Sequence, residues 1–418
     1  MRDNVADLKT SGVFEQLLEY SLVQKGLEYL LEDANATLEE QIELTKIPAP
    51  VFMEDERGRV YKSKLELLGL SDIQTDRHGN VFGTRYGTGK GPRIFVCAHL
   101  DTVFPNGTDI IVRRENGKVY APGISDDGRG LATVLTLVRA FNETNIQTSG
   151  DIIFGATVGE EGLGDLRGVK GLFEDRQDID GFISIEPGHP ERITYLGTGS
   201  HRFHITYKGS GGHSFGDFGI PSPIHALGRA ISKIGDLQTP LEPKTTFNVG
   251  TITGGTSVNT IAEEASMMLD MRSNSAEELI RLEEQVMHIL RKAAEEENNR
   301  WKSDKTSIEV TIKQVGDRPA GIQSPTSEIV ETTIAAAASL GLNPVLSPAF
   351  STDSNVPISL GIPAVTLGGG GSNSGGFHTL EEYFDPTDAH LGPQNIFLTI
   401  LGLVGVKDVT APLLSSKE

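Results

Sequence analysis

Four short apolar runs of the sequence, each typical of a buried β-strand, lead into acidic or imidazole side chains. The runs cover residues 93–98, 151–158, 181–185 and 364–367, and the side chains that follow them are His99 and Asp101, Glu160 and Glu161, Glu186, and, after a glycine-rich stretch, His378. Helical patterns, such as that of residues 131–141, alternate with the runs. Strands that alternate with helices predict a mostly parallel sheet covered on both faces. The sequence therefore predicts an α/β protein whose main domain has three layers, α/β/α.

Residues 194–313 have a different pattern from the rest of the chain. Strand-like runs at 203–207, 265–271 and 307–312 are interrupted by helical patterns at about 224–234 and 276–298. This arrangement predicts an α+β domain inserted into the α/β domain. A chain of 418 residues also suits two domains better than one. The predicted boundaries are 1–193 and 314–418 for the α/β domain, and 194–313 for the insert.

Composition excludes several classes of function. The chain has 37 Lys and Arg against 57 Asp and Glu, and the resulting net charge of −20 argues against a nucleic-acid partner. The longest apolar run, at 396–406, is far short of the roughly 20 residues that span a membrane. The N-terminus lacks the apolar stretch of a signal peptide, and a single cysteine, Cys97, rules out an intrachain disulfide framework. We therefore expect a cytoplasmic protein that binds neither nucleic acid nor membrane.

The polar residues that follow the strands suit a metal site. Ligands of open α/β sheets bind at the carboxyl ends of the strands, where these side chains are expected to converge. Asp126 and Asp127, just before a predicted helix, add two more carboxylates. Two histidines and several carboxylates suit Zn²⁺ or Mn²⁺ at a two-metal site, in which a carboxylate such as Asp126 can bridge the ions.

In each of two pairs of residues close in sequence, the two side chains are suited to different roles at the site. His99 and Asp101 are two apart in an extended segment and face the same way, so Asp101 can accept the second ring N–H of His99. The side chains of Glu160 and Glu161 point in different directions, so one can bind metal while the other takes a proton from water. Each motif has an ordinary alternative, since an Asp-Asp pair before a helix is usually a cap and a Glu-Glu pair is usually a solvated face.

The motifs together resemble those of the co-catalytic zinc metallopeptidase and deacylase family, which includes peptidase T, aminoacylase and acetylornithine deacetylase. The matching segments are Ala98-His99-Leu100-Asp101-Thr102, Ser125-Asp126-Asp127, Gly159-Glu160-Glu161-Gly162, Glu186-Pro187 and His378. The resemblance extends from about residue 38 to 406. It implies a two-metal amide hydrolase.

The resemblance also implies a role for each of these residues. One ion would be bound by His99, Asp126 and Glu186, and the other by Asp126, Glu161 and His378. Glu160 would be the general base, and Asp101 would orient His99. The expected cofactors are two divalent ions, zinc first, with manganese or cobalt as alternatives.

For the insert, the resemblance implies a ferredoxin-like lid that often forms a dimer, so a homodimer is expected. Gly211-Gly212-His213-Ser214 resembles the lid motif whose histidine stabilises the developing oxyanion, often in the site of the partner subunit. Asn259 and Arg272 resemble lid positions that bind the substrate carboxylate or backbone. A surface loop for His213 and a surface salt bridge for Arg272 are the plainer alternatives.

The substrate stays open at this point. Glu at position 186 is more usual in the deacylases and carboxypeptidase-like members, whereas the overall motif context resembles the peptidase T branch. The chain also has Gly128 and Arg129 where many members have Lys after the Asp-Asp pair. The expected substrates are short peptides or N-acyl amino acids. The alternative function is a non-catalytic metal-binding or scaffold protein on the same fold, which predicts the loss of the base or of a ligand.

Overall fold

The computed structural model of the protein describes residues 3–301 and 306–417, which form two compact units. The first unit comprises Met1–Gly197 and Ile322–Glu418, and the second is Thr198–Gly321. The second unit begins four residues and ends eight residues after the bounds predicted for the insert, 194–313.

Among the described residues, the first part of the first unit contains six α-helices and eight strands. The helices are α1 (Asp3–Glu19), α2 (Ser21–Glu32), α3 (Ala34–Thr45), α4 (Asp55–Leu67), α5 (Gly128–Thr144) and α6 (Arg167–Asp175). The strands are β1 (Ser71–Thr75), β2 (Val81–Arg85), β3 (Arg93–His99), β4 (Arg113–Glu115), β5 (Lys118–Tyr120), β6 (Asp151–Thr157), β7 (Gly181–Glu186) and β8 (Arg192–Thr194).

The second unit has the βαββαβ order of a ferredoxin-like fold. Its elements are β9 (Gly199–Lys208), β10 (Gly212–His213), α7 (Pro223–Gly235), β11 (Thr245–Gly254), β12 (Thr260–Ile261), β13 (Glu264–Ser273), α8 (Ala276–Trp301) and β14 (Glu309–Arg318). The four long strands form an antiparallel sheet in the order β11-β13-β9-β14, and the short strands β10 and β12 pair separately. Apolar side chains of this sheet and of α7 and α8 form one core.

The chain then completes the first unit. The remaining elements are α9 (Glu328–Ser339), β15 (Val345–Ser347), α10 (Asn355–Ser359), β16 (Ala364–Gly368), β17 (Asn373–Gly375), β18 (Tyr383–Asp385) and α11 (Leu391–Val404). Eight strands form one sheet in the order β1-β2-β6-β3-β7-β16-β8-β15, and the central strands β6, β3, β7 and β16 are parallel.

Strand β3 shows how helices come to cover both faces of this sheet. Ile94, Val96 and Ala98 belong to the core shared with α5 and α11, whereas Phe95 and Cys97 belong to the core shared with α6 and α10. Successive side chains of a strand point to opposite faces, so a strand buried on both faces is apolar throughout. The predicted α/β fold class, with a three-layer domain and a ferredoxin-like insert, is confirmed. In the described part of the chain, no helix is both long and apolar enough to cross a membrane.

Candidate active site

The carboxyl ends of the parallel strands place most of the predicted site residues at one edge of the sheet. His99 is the last residue of β3 and Glu186 is the last residue of β7. Glu160 and Glu161 follow the end of β6 within four residues. Because β6, β3 and β7 are parallel neighbours, these side chains end at the same edge of the sheet.

Asp126 and Asp127 precede α5 and are joined by a cis peptide bond. The Asp127 carboxylate accepts hydrogen bonds from the backbone N–H groups of Gly130 and His99, at 2.9 and 3.0 Å. Asp127 is thus the cap that an Asp before a helix predicts, and it also attaches the start of α5 to the end of β3. Asp126 is left to face the site.

Asp126 lies between the two histidines. Its Oδ1 is 2.9 Å from Nε2 of His99, and its Oδ2 is 3.4 Å from Nε2 of His378. Each oxygen of one carboxylate therefore faces a different imidazole, and this position is compatible with the bridging role predicted for Asp126.

The remaining predicted ligands flank this centre. Nε2 of His378 lies 3.0 Å from Oε1 of Glu161, and Nε2 of His99 lies 3.9 Å from Oε2 of Glu186. Donor atoms of His99, Asp126 and Glu161 fall within 4.8 Å of one another, and so do those of His99, Glu160 and Glu186. The structure thus brings all five predicted ligands and Glu160 into one cluster.

The donor set fits divalent cations. Oε1 of Glu186 is buried and has no hydrogen-bond partner among the residues that the structure describes. Burial, reinforced by neighbouring carboxylates, raises the pKa values of Glu186 and Asp127 well above their usual range. Burial would also raise the pKa of Asp126, but hydrogen bonds from His378 and His99 hold it below its usual value. Buried carboxylates in excess of their cationic partners call for added positive charge, which bound metal ions supply.

The contacts of Asp101 differ from the predicted one, in which its carboxylate accepts the second ring N–H of His99. Nδ1 of His99 donates to the backbone carbonyl of Asp101 at 2.9 Å, whereas the Asp101 carboxylate is 3.8 Å away. That carboxylate instead accepts the backbone N–H groups of Glu160 and Glu161, at 3.1 and 2.8 Å. The carbonyl fixes the imidazole so that Nε2 faces the cluster, and the carboxylate holds the turn that carries the two glutamates.

Two buried charged residues near the site were not predicted. The Arg57 guanidinium, on α4, donates to the carbonyl of Leu100 at 2.7 Å and to the carbonyl of Ile47 at 2.6 Å. Burial lowers its pKa to about 10, although Asp101 and Asp127 oppose the change. The helical pattern of α4 in the sequence does not indicate that Arg57 is buried.

The second of these residues is Glu382, whose side chain is 0% exposed. It accepts backbone N–H groups of the loop that precedes α5. Burial raises its pKa to about 7, although the N–H donors act in the opposite sense. It lies four residues after His378, and the sequence does not distinguish it from its exposed neighbour Glu381.

The glycine-rich stretch before His378 packs closely against other backbone segments. A Cβ atom on Gly368 would lie 2.4 Å from the carbonyl oxygens of Gly188 and His189, so only glycine fits there. The buried Arg129, at the sequence departure after the Asp-Asp pair, donates to the carbonyl of Gly369 at 2.7 Å. His378 itself has a φ of 63°, a left-handed conformation that is uncommon outside glycine and is found often at functional sites.

In the second unit, the structure brings two of the three predicted lid residues together. His213 of β10 pairs with Thr260 of β12, and the N–H of Ser214 donates to the carbonyl of Asn259 at 3.0 Å. Arg272 lies in β13, where its Nε donates to Asp270 at 2.7 Å. That contact is the salt bridge considered as the plainer alternative for Arg272. The roles of these residues toward substrate stay predictions.

The sequence model of peptidase family M20/M25/M40 matches residues 95–400, and the chain therefore belongs to this family. Protein YqjE of Bacillus subtilis is 31% identical over 351 residues, which cover 79% of this chain and 89% of that protein. The family resemblance found in the sequence is confirmed. The expected enzyme class, a hydrolase of peptide-type amide bonds, is confirmed at the level of the family.

Solved structures show the same fold. A tripeptidase from Staphylococcus aureus matches with a TM-score of 0.72 and 24% identity, over 88% of this chain and 97% of that one. Bacillus subtilis YxeP, described as a dinuclear metal-binding peptidase of the M20 family, matches with a TM-score of 0.66 and 16% identity, over 89% and 98% of the two chains.

Proposed function

We propose that the protein is a two-metal hydrolase that cleaves amide bonds of short peptides or N-acyl amino acids. The observation that carries the proposal is the position of the Asp126 carboxylate, with one oxygen toward His99 and the other toward His378. The similarity to a tripeptidase and to a dinuclear metal-binding peptidase supports it.

The proposal keeps the ligand sets that the resemblance implies. His99, Asp126 and Glu186 would hold one divalent ion, and Asp126, Glu161 and His378 would hold the other. Imidazole and carboxylate donors suit zinc, with manganese and cobalt as alternatives. When bound, such ions polarise the scissile carbonyl and lower the pKa of the attacking water.

Glu160 is the general base of the proposed reaction. A carboxylate oxygen of Glu160 lies within 4.8 Å of donor atoms of His99 and Glu186. From there it takes a proton from the attacking water and later returns it to the leaving amine nitrogen. The two hydrogen bonds from the Glu160–Glu161 turn to Asp101 hold the base in place.

The second unit is proposed to act as a lid and as the dimer contact. His213 donates a hydrogen bond to the developing oxyanion, and Asn259 and Arg272 bind the substrate carboxylate or backbone. We also propose a cytoplasmic homodimer. The single, buried Cys97 is compatible with a reducing compartment.

The in-trans role of His213 predicts complementation between inactive subunits. A His213→Ala subunit keeps its own metal cluster and Glu160, and a Glu160→Gln subunit keeps His213. If His213 acts in the neighbouring site, a verified heterodimer of the two contains one complete site and should regain up to about half of the wild-type activity. Hydrolysis rates of the mixed dimer, compared with those of each homodimer, measure this. Heterodimers that are no more active than the homodimers would contradict a role in trans.

A substrate panel tests the proposed function. Di- and tripeptides and N-acetyl and N-succinyl amino acids are assayed in parallel, each with Zn²⁺, Mn²⁺ or Co²⁺. The proposal expects metal-dependent hydrolysis of one of these groups, and the preferred group decides between peptidase and deacylase. A metal-loaded protein that hydrolyses none of them would favour the non-catalytic alternative. That alternative predicts the loss of the base or of a ligand, and the chain has all of the predicted residues.

A further inference from the structure

Glu382 is a buried carboxylate on which three backbone donors converge. Oε1 of Glu382 accepts the N–H groups of Ser125 and Asp126, at 2.8 and 2.9 Å, and Oε2 accepts the N–H of Gly123 at 3.0 Å. A carboxylate can only accept hydrogen bonds, so it matches three N–H groups without conflict. These three hydrogen bonds therefore fix the loop that carries Asp126 against the Glu382 side chain.

Further contacts join the same two segments. Strand β18, which begins directly after Glu382, pairs with β5, which precedes the Asp126 loop. The N–H of Ala121 donates to the carbonyl of Glu382 at 3.0 Å, and the Ser125 hydroxyl donates to the carbonyl of Tyr383 at 3.0 Å. The Asp126 loop and the segment around Glu382 thus form one hydrogen-bonded unit.

His378 belongs to the turn that leads into Glu382. The N–H of Thr379 donates to the carbonyl of Gly376 at 3.1 Å, and the N–H of Glu382 donates to the carbonyl of Thr379 at 3.2 Å. This turn holds His378 in its left-handed conformation. A side chain that fixes the start of β18 against the Asp126 loop therefore affects both His378 and Asp126.

We propose that Glu382 is a positioning residue that fixes the Asp126 carboxylate relative to His378 and so sets the affinity for the ion held by Asp126, Glu161 and His378. The inference rests on the proposed two-metal function. The other ion would share Asp126 but take its remaining ligands, His99 and Glu186, from β3 and β7, whose ends do not depend on Glu382. Its affinity should therefore fall less than that of the ion that also depends on His378.

Glu382→Gln is the test variant, because it keeps the shape of the side chain but turns an amide NH₂ toward one of the three N–H groups. Glu381→Gln is the matched control, since the neighbouring Glu381 is exposed and pairs with Arg113 at the surface. Metal-depleted wild type and variants are titrated with Zn²⁺ against a chelating dye, and the absorption spectra of Co²⁺-loaded proteins are recorded. For Glu382→Gln we expect the affinity for one of the two ions to fall about 10–100-fold, with a clearly smaller loss for the other. Its kcat should recover as the metal concentration rises, and its KM should stay near the wild-type value.

Several outcomes decide against the inference. Wild-type affinities and Co²⁺ spectrum in Glu382→Gln would overturn it, and an equal loss of both ions would show a general structural role instead. If Glu382→Gln fails to fold by circular dichroism, Glu382→Asp replaces it, because the shorter carboxylate keeps the charge but cannot reach all three N–H groups. The same selective loss is then expected, and its absence overturns the inference. Wild type that binds fewer than two ions would instead contradict the proposed function itself.

Discussion

Replacing Glu160 by Gln is expected to lower kcat by about 10²–10⁴-fold while both metal ions stay bound. The amide has nearly the shape of the carboxylate but cannot take a proton from water. The backbone N–H of Glu160, which donates to Asp101, is unaffected by the change. Steady-state hydrolysis of a substrate from the panel and metal analysis of the same sample measure the two effects together.

The control for this prediction is Glu66→Gln, the same chemical change on an exposed position near the end of α4. It should leave both kcat and metal content as in wild type. Turnover of Glu160→Gln close to that of wild type, with two ions bound, would show that Glu160 is not the base. A joint loss of activity and metal would instead place Glu160 among the ligands, as its closeness to His99 and Glu186 also allows.

Asp126→Asn should also have a large effect on activity, because the proposal places this carboxylate on both ions. The amide offers a neutral oxygen to one ion and an NH₂ group to the other, so we expect at most one ion per chain after dialysis. Lewis-acid stabilisation of several kcal/mol corresponds to a fall in kcat/KM of about 10³-fold or more, since each 1.36 kcal/mol is a factor of ten.

Asp109→Asn, on an exposed loop position, is the matched control for Asp126→Asn. Metal analysis by mass spectrometry and kcat/KM at saturating metal are measured for both variants. Retention of two ions and of near wild-type activity in Asp126→Asn would contradict the bridging role. Loss of both ions is compatible with it, because each ligand set would then have only two charged or imidazole donors left.

The fold class and the convergence of the candidate ligands could be predicted because both depend on local pattern, whereas the role of each ligand is implied only by the family resemblance. His99 and Glu186 end parallel strands, and the ends of parallel strands must meet at one edge of the sheet. In residues 194–313, the strand-like and helical runs predict an α+β unit, whereas its ferredoxin-like fold is implied only by the family resemblance, because the runs do not include β11. Such features are properties of short segments, and the rules of strand packing then bring them together.

The contacts that orient the cluster could not be predicted. Spacing places Asp101 beside His99, but it does not show whether the ring meets the carboxylate or the backbone carbonyl of that residue, and the carbonyl is the nearer group. Arg57 and Glu382 are of charged types that are mostly exposed, and their burial depends on backbone groups distant in sequence. Such tertiary hydrogen bonds leave no periodic signal.

The most direct test of the two-metal account is a titration of metal-depleted protein with Zn²⁺ while hydrolysis of a panel substrate is followed. The account predicts no measurable hydrolysis without metal, two ions bound per chain at saturation, and full activity only when the second ion binds. Undiminished hydrolysis by the metal-free protein, or full activity with one ion bound per chain, would contradict it.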